Sequence, residues 1–144
     1  MKLSIPVKET IEKRRSIRTF ENKALLPADR EKLIGYMNTL SNPFDAVVNF
    51  HIAEKGISDQ GEKLGTYGVI KGASTFLGVS VPNNEFGLLA AGYEFENLIL
   101  YATDMELGTV WLAATFSKDS FSNAMKIDKE DLISIGTIGL IKAI

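Results

Sequence analysis

A long apolar segment sets the strongest limit on the fold of this chain. We predict a helix at residues 85–107, since Asn83 or Asn84 can cap its start and Gly108 can end it. Its apolar side chains cannot share one narrow stripe, and they include Leu88, Leu89, Phe95, Leu98, Ile99 and Met105. A helix that is apolar on most sides is buried on most sides.

Two interpretations account for this helix. It is either a central core helix within one domain, or a helix that lies in the core and also at a subunit interface. A domain of 144 residues has limited core to cover a helix of this length, which favours the second interpretation. The first turns are small, with Gly87, Ala90, Ala91 and Gly92. We therefore expect a second backbone to approach there, with Ala91 in the close contact.

A basic stretch marks the second informative region. Residues 14–20 read Arg-Arg-Ser-Ile-Arg-Thr-Phe and follow a predicted short helix, Pro6 to Lys13, with Ser4 as its possible N-cap. A basic helix end that continues as extended chain can direct several guanidinium groups and one hydroxyl at a phosphate. Basic residues at a helix end also complement the helix dipole, so a solvated helix end is an equal alternative.

Composition excludes several classes of function. The length predicts one domain, residues 1–144, and the net charge of -2 argues against general binding of nucleic acid or acidic membranes. The chain has no cysteine and one histidine, His51, which excludes disulfides, thiol catalysis and multi-histidine metal sites. No signal peptide is visible, and charged residues interrupt the apolar helix. We expect a cytoplasmic protein without a metal site.

The remaining segments predict an α+β fold. A second helix runs from Pro27 to about Leu40, and a short one follows Ser117. Strands are expected at 46–53, 75–81, 109–113 and 132–141, whereas 55–74 reads as a loop without a phosphate-loop motif. In the first strand, Val48, Phe50 and Ile52 share one face, and His51 lies on the other as a surface or half-buried residue. This order predicts a mixed, mostly antiparallel sheet with packed helices.

Two stretches of the chain resemble the nitroreductase family of flavin enzymes. The basic stretch, preceded by Ile11-Glu12-Lys13, is similar to that family's N-terminal signature. Residues 94–112 are similar to its central helix and to the following Leu-Gly-Leu/Ile-Gly-Thr-x-Trp-Leu exit. The two stretches occur in the order found in the family. The resemblance is to a branch other than that of the best-studied enzymes.

The resemblance implies a homodimeric oxidoreductase that binds flavin mononucleotide (FMN). Such enzymes reduce small molecules, namely nitroaromatic compounds, quinones or similar acceptors, with electrons from NAD(P)H. By the family pattern, Arg14 and Ser16 hold the phosphate, Arg15 lies along the ribityl chain, and Arg18 approaches the N1 and O2 edge. Further contacts are implied for the backbone of Leu112, Ala113 and Ala114 at N5 and O4, and for Lys142.

The chain departs from the family pattern in three places. Relatives carry Pro-Ser-x-x-Asn-x-Gln-Pro-Trp after the second helix, where this chain reads Ser41-Asn42-Pro43-Phe44-Asp45. Relatives have glycines at the positions of Ala113 and Ala114. They also continue past the last strand with more basic residues, so we expect a short or truncated member that retains Lys142. Two other hypotheses stay open: a degenerate flavin- or nucleotide-binding module without turnover, and a purely structural dimeric domain.

Overall fold

The computed structural model describes residues 4–54, 70–112, 123, 125–127 and 131–139. These ranges contain three helices and four strands, in an α+β arrangement that confirms the predicted fold class. In chain order they are α1 (Val7–Lys13), α2 (Pro27–Met37), β1 (Asn49–Glu54), β2 (Thr75–Val81), α3 (Gly87–Asp104), β3 (Gly108–Leu112) and β4 (Leu132–Gly139). Residues 55–69 of the loop predicted at 55–74, and most of the predicted short helix after Ser117, lie outside the described residues.

The four strands form one sheet in the order β1-β2-β4-β3, and each neighbouring pair is antiparallel. Gly136 of β4 lies opposite Leu77 of β2 on one side and Trp111 of β3 on the other. Among the described residues, parallel pairing occurs at two isolated bridges outside these strands, Ser16 with Thr109 and Thr19 with Lys71. The basic stretch therefore runs alongside the outer strand β3 and the segment before β2.

Both faces of the sheet are covered, and all seven residues of β2 are buried. One core cluster joins the helices to one face and includes Leu33, Leu77, Val79, Phe95, Leu98 and Ile99. A second cluster covers the opposite face and includes Phe20, Phe76, Val110, Leu112, Met125 and Ile127. β2 and β3 supply alternating side chains to both clusters, and Ile17 and Phe20 of the basic stretch pack on the face opposite to α3.

Helix α3 is the central helix that its apolar sequence predicts. Phe95, Leu98, Ile99 and Ala102 are fully buried, each with 0% exposure. Leu88 and Leu89 remain 57% and 54% exposed, so this domain leaves part of the helix's apolar surface uncovered. None of the described helices is both long enough and apolar enough to cross a membrane.

The ends of α3 differ from the sequence prediction. The N-cap is Phe86, which makes no side-chain cap bond, and Asn84 Oδ1 instead accepts a hydrogen bond from the Phe86 N–H at 3.2 Å. At the other end, Glu106 adopts the left-handed conformation with φ of 66°. The prediction that Gly108 ends the helix was therefore wrong, because the turn closes two residues earlier and Gly108 begins β3.

Other boundaries shift by a few residues. Pro6, rather than Ser4, precedes α1, and Thr10 Oγ1 donates to the Pro6 carbonyl at 2.7 Å. Helix α2 ends at Met37 and β1 begins at Asn49, both closer to the middle of the element than predicted. The predicted alternation in β1 is confirmed, since Val48, Phe50 and Ile52 all pack against the helix-side cluster.

His51 is half-buried in β1, which is one of the two placements that the sequence allows. Its Nε2 lies 2.8 Å from Ser80 Oγ on the neighbouring strand. Burial lowers the pKa of His51, and the negative charge of Asp131 partly opposes that shift. Because protonation is disfavoured in the folded state, this histidine reduces stability as the pH falls below its unfolded pKa of about 6.5.

Phe20 fixes the end of the basic stretch. It is 2% exposed, and its N–H donates to the Lys71 carbonyl at 2.8 Å. Two glycines make room for it. Gly72 has φ of 76°, and a Cβ there would lie 2.0 Å from the Phe20 carbonyl oxygen. A Cβ on Gly139 would lie 2.9 Å from Phe20 Cδ1. The Cβ of any other residue at either position would clash with Phe20 and displace it from its buried position.

We predict that Gly72→Ala lowers the free energy of unfolding by more than about 2 kcal/mol, because it combines a left-handed backbone with a backbone clash. Gly35→Ala is the matched control. It lies within α2 with no atom within 4 Å of the added methyl group, so it should stabilise by about 0.5–1 kcal/mol. Urea unfolding of both variants measures this. Equal stabilities would contradict the conclusion that Phe20 needs a glycine at position 72.

Candidate functional site

A cleft opens where the end of α1 meets the turn between α3 and β3. Its volume is about 360 Å³. One wall is formed by Lys13, Arg14, Arg15 and Ile17, and the other by residues 103 and 106–109. Three cationic side chains thus line one side of a cleft whose far wall contains one carboxylate, that of Glu106.

Arg14 is held in the cleft wall by β3. Its Nη1 donates to Thr109 Oγ1 at 3.4 Å, a long hydrogen bond, and the residue is half-buried. Within the described ranges this is the only hydrogen bond from the guanidinium, which has five donors. Arg15 is exposed and makes no hydrogen bond or ion pair to any described residue. Both arginines therefore retain donors that can bind an anion.

The backbone of Thr109 explains why these arginines lie here. Ile17 N–H donates to the Thr109 carbonyl at 2.9 Å, next to the parallel bridge between Ser16 and Thr109. Arg14 N–H donates to the Thr10 carbonyl at 2.9 Å and closes α1. The chain therefore leaves the helix and pairs with β3 within three residues, which leaves Arg14 and Arg15 at the corner.

Two further residues of the basic stretch, Ser16 and Arg18, are predicted FMN contacts. Both are exposed, and neither is among the residues that line the cleft. Ile17 between them is half-buried against the second core cluster, so Ser16 and Arg18 lie on the outer side of this extended segment. Their roles as FMN contacts stay predictions.

Of the other predicted contacts, the structure describes only Leu112. Leu112 is 5% exposed in the second core cluster, and it follows Thr109 along β3 by three residues, about 10 Å. Ala113, Ala114 and Lys142 lie outside the described residues. These four assignments also stay predictions.

Two charged residues of the cleft, Lys13 and Glu106, were not predicted from the sequence. Lys13 Nζ forms an ion pair with Glu106 Oε1 between the two walls. Lys13 could have been found, because it extends the basic stretch to four cations in six positions. Glu106 could not, since its position in the cleft depends on the left-handed turn after α3.

A second depression of about 310 Å³ lies beside the segment that departs from the family pattern, residues 41–45. Glu94 on its wall is 5% exposed. Asn42 Nδ2 donates to Glu94 Oε2 and also to the Ala46 carbonyl at 2.8 Å. Burial raises the pKa of Glu94, and the hydrogen bond from Asn42 partly offsets that shift. In this chain Asn42 therefore holds an internal carboxyl group.

Several solved structures share this fold. A nitroreductase family protein from Clostridium difficile 630 is 16% identical, with a TM-score of 0.75, 94% of this chain covered and 84% of that chain. A nitroreductase with bound FMN from Bacteroides fragilis NCTC 9343 is 16% identical, with a TM-score of 0.73 and coverage of 96% and 90%. An FMN-dependent nitroreductase from Clostridium difficile R20291 is 15% identical, with a TM-score of 0.73 and coverage of 94% and 87%.

These likenesses establish the fold, and a sequence comparison establishes the family. No curated protein gives a significant sequence match. The family model described as "Putative TM nitroreductase" matches residues 6–142, which include the basic stretch, the cleft and all four strands. The resemblance inferred from the two sequence stretches is thereby confirmed, and the chain belongs to this nitroreductase family.

Proposed function

We propose that this protein is an FMN-dependent oxidoreductase that passes electrons from NAD(P)H to nitroaromatic compounds, quinones or similar small acceptors. The observation that carries the proposal is the cation-lined cleft at the basic stretch of a chain that belongs to a nitroreductase family. Two of the structures that share its fold are described as containing or depending on FMN, which supports the choice of cofactor.

The donors in the cleft fit a phosphate monoester. Arg14 is half-buried, is held by one long hydrogen bond, and has further donors to offer. Arg15 follows on the same wall. A guanidinium fork matches the oxygens of a phosphate, and partial burial strengthens the attraction relative to water. We therefore assign the phosphate first to Arg14, with Arg15 beside it.

FMN supplies the redox chemistry when bound, and the chain's own residues bind and orient it. The proposal keeps Ser16 as a phosphate contact, and Arg18 as the cation near the N1 and O2 edge, where a positive charge favours the reduced form. It also keeps the backbone at Leu112, Ala113 and Ala114, together with Lys142. The NAD(P)H donor and the cytoplasmic location stay predictions.

We further propose a homodimer. Phe86, Leu89 and Tyr93 lie on one side of α3 at spacings of three and four residues, with exposures of 45%, 54% and 39%. Phe44 packs against two of them, with ring centroids 6.3 Å from Phe86 and 6.1 Å from Tyr93. A side chain at Gly92 would meet no atom within 4 Å. Such an apolar surface is unusual on a monomer, and a two-fold copy would cover it.

The proposed activity is tested by absorption spectroscopy of the protein reconstituted with FMN and freed of unbound flavin. We expect a retained flavin band that bleaches on addition of NADH or NADPH under anaerobic conditions and returns on addition of a quinone. A retained band that neither nucleotide bleaches would favour the flavin-binding module without turnover. Complete loss of flavin on desalting would contradict both.

The phosphate assignment predicts that Arg14→Ala weakens FMN binding roughly tenfold or more, because a charge-assisted hydrogen bond contributes about 1.5–3 kcal/mol. Arg30→Ala is the matched control, since Arg30 pairs with Glu54 at 2.8 Å and does not line the cleft. Flavin fluorescence titration measures both. If the two variants bind FMN with the same affinity, Arg14 does not hold the phosphate.

A substitution that tests the dimer must lie on the exposed surface of α3, which Ala91, the residue expected in the close contact, does not. Ala91 is 2% exposed and belongs to the helix-side core, so Ala91→Arg would disturb the fold of each subunit. Leu89→Arg changes the exposed surface instead. We expect it to convert a dimer to monomers in sedimentation, whereas Leu26→Arg, at another apolar residue with 57% exposure, should not. A wild-type monomer at micromolar concentration would overturn the proposal.

A further inference from the structure

The cleft of the basic stretch contains one acidic side chain, that of Glu106. Glu106 Oε1 pairs with Lys13 Nζ, and both residues line the cleft beside Arg14 and Arg15. The carboxylate therefore faces a wall that carries three cations and pairs with one of them. The two side chains are 48% and 75% exposed, so water screens the pair and the attraction between them is weak.

The backbone holds Glu106 in this position. Its φ of 66° is in the left-handed region, where glycine is the usual residue at a helix end. The Glu106 N–H donates to the Thr103 carbonyl at 3.0 Å, and the next N–H, of Leu107, donates to the Ala102 carbonyl at 3.0 Å. The turn that closes α3 therefore fixes the start of this side chain above the cleft, at a cost in strain that a glycine would avoid.

A phosphate monoester competes well for the same lysine. It carries nearly two negative charges and three acceptor oxygens, whereas Glu106 brings a single charge. It can also contact Arg14 and Arg15 at the same time, because all three cations lie on one wall. Displacing an exposed ion pair therefore gains more contacts than it loses.

We propose that Lys13 is a further phosphate-binding residue of this cleft and that Glu106 holds it until a phosphate displaces the carboxylate. The inference rests on the proposed function, because it takes the phosphate of FMN as the ligand. Glu106 then lowers the affinity in two ways: it occupies Lys13 in the free protein, and its charge repels the phosphate in the bound one. Glu106 therefore sets how easily the phosphate-bearing ligand is released.

The test compares Glu106→Gln with Glu12→Gln. Glu12 is an exposed residue of α1 that does not line the cleft, so its variant removes one charge nearby without touching the pair. Each protein is titrated with FMN and with riboflavin, which lacks the phosphate. We expect Glu106→Gln to bind FMN about threefold to tenfold more tightly than wild type, with riboflavin unchanged. Glu12→Gln should match wild type with both.

A double-mutant cycle tests whether Lys13 is the cation through which Glu106 acts. Lys13→Met should weaken FMN binding, and in that background Glu106→Gln should give a smaller gain than in wild type. An equal gain in both backgrounds would overturn the role of Lys13. Equal affinities of Glu106→Gln and Glu12→Gln for FMN, or an equal gain for riboflavin, would overturn the role of Glu106.

Titration with inorganic phosphate separates this inference from the proposed function. If wild type does not bind FMN but Glu106→Gln binds phosphate more tightly than Glu12→Gln, the flavin function fails and the displacement inference is supported. If all variants bind phosphate equally, the inference fails, whether or not FMN is bound.

Discussion

The candidate site depends on the packing of the buried Phe20 side chain. Its ring lies against Gly139 and its carbonyl against Gly72, while its N–H pairs with Lys71. These contacts hold the far end of the basic stretch, and α1 holds the near end. Between two fixed ends, the segment pairs with Thr109 and presents Arg14 and Arg15 at the corner. A site of charged side chains is thus positioned by apolar packing and backbone hydrogen bonds.

The electrostatic character of the site follows from this geometry. Three cations lie on one short stretch of chain, and hydrogen bonds within the described residues leave most of their donors unused. Like charges so close together repel, and a single carboxylate opposite them reduces that repulsion. The carboxylate therefore lowers the electrostatic cost of placing three cations on one wall.

The sequence predicted the elements better than their ends. The apolar content of α3 and the alternation in β1 are local patterns, and the residues that they mark as apolar do pack in the core. The turn after α3 was misplaced because Gly108 has the residue type of a helix end, whereas Glu106 takes that conformation. In the site, Arg14 and Arg15 could be found from residue type. That Ser16 does not line the same cleft could not be found, because the course of the chain there depends on pairing with Thr109, which is distant in sequence.

The pairing of residues 16 and 17 with β3 also has a consequence for solubility. In the described sheet β3 is an outer strand, and an uncovered outer strand offers free N–H and carbonyl groups to any other extended chain. Here the bridge at Ser16 and the hydrogen bond from Ile17 occupy part of that edge, and Arg14, Arg15 and Arg18 surround it with positive charge. The basic stretch, which lines the cleft, thus also protects the sheet against edge-to-edge aggregation. A substitution that weakens its pairing with β3 is therefore expected to impair both anion binding and solubility.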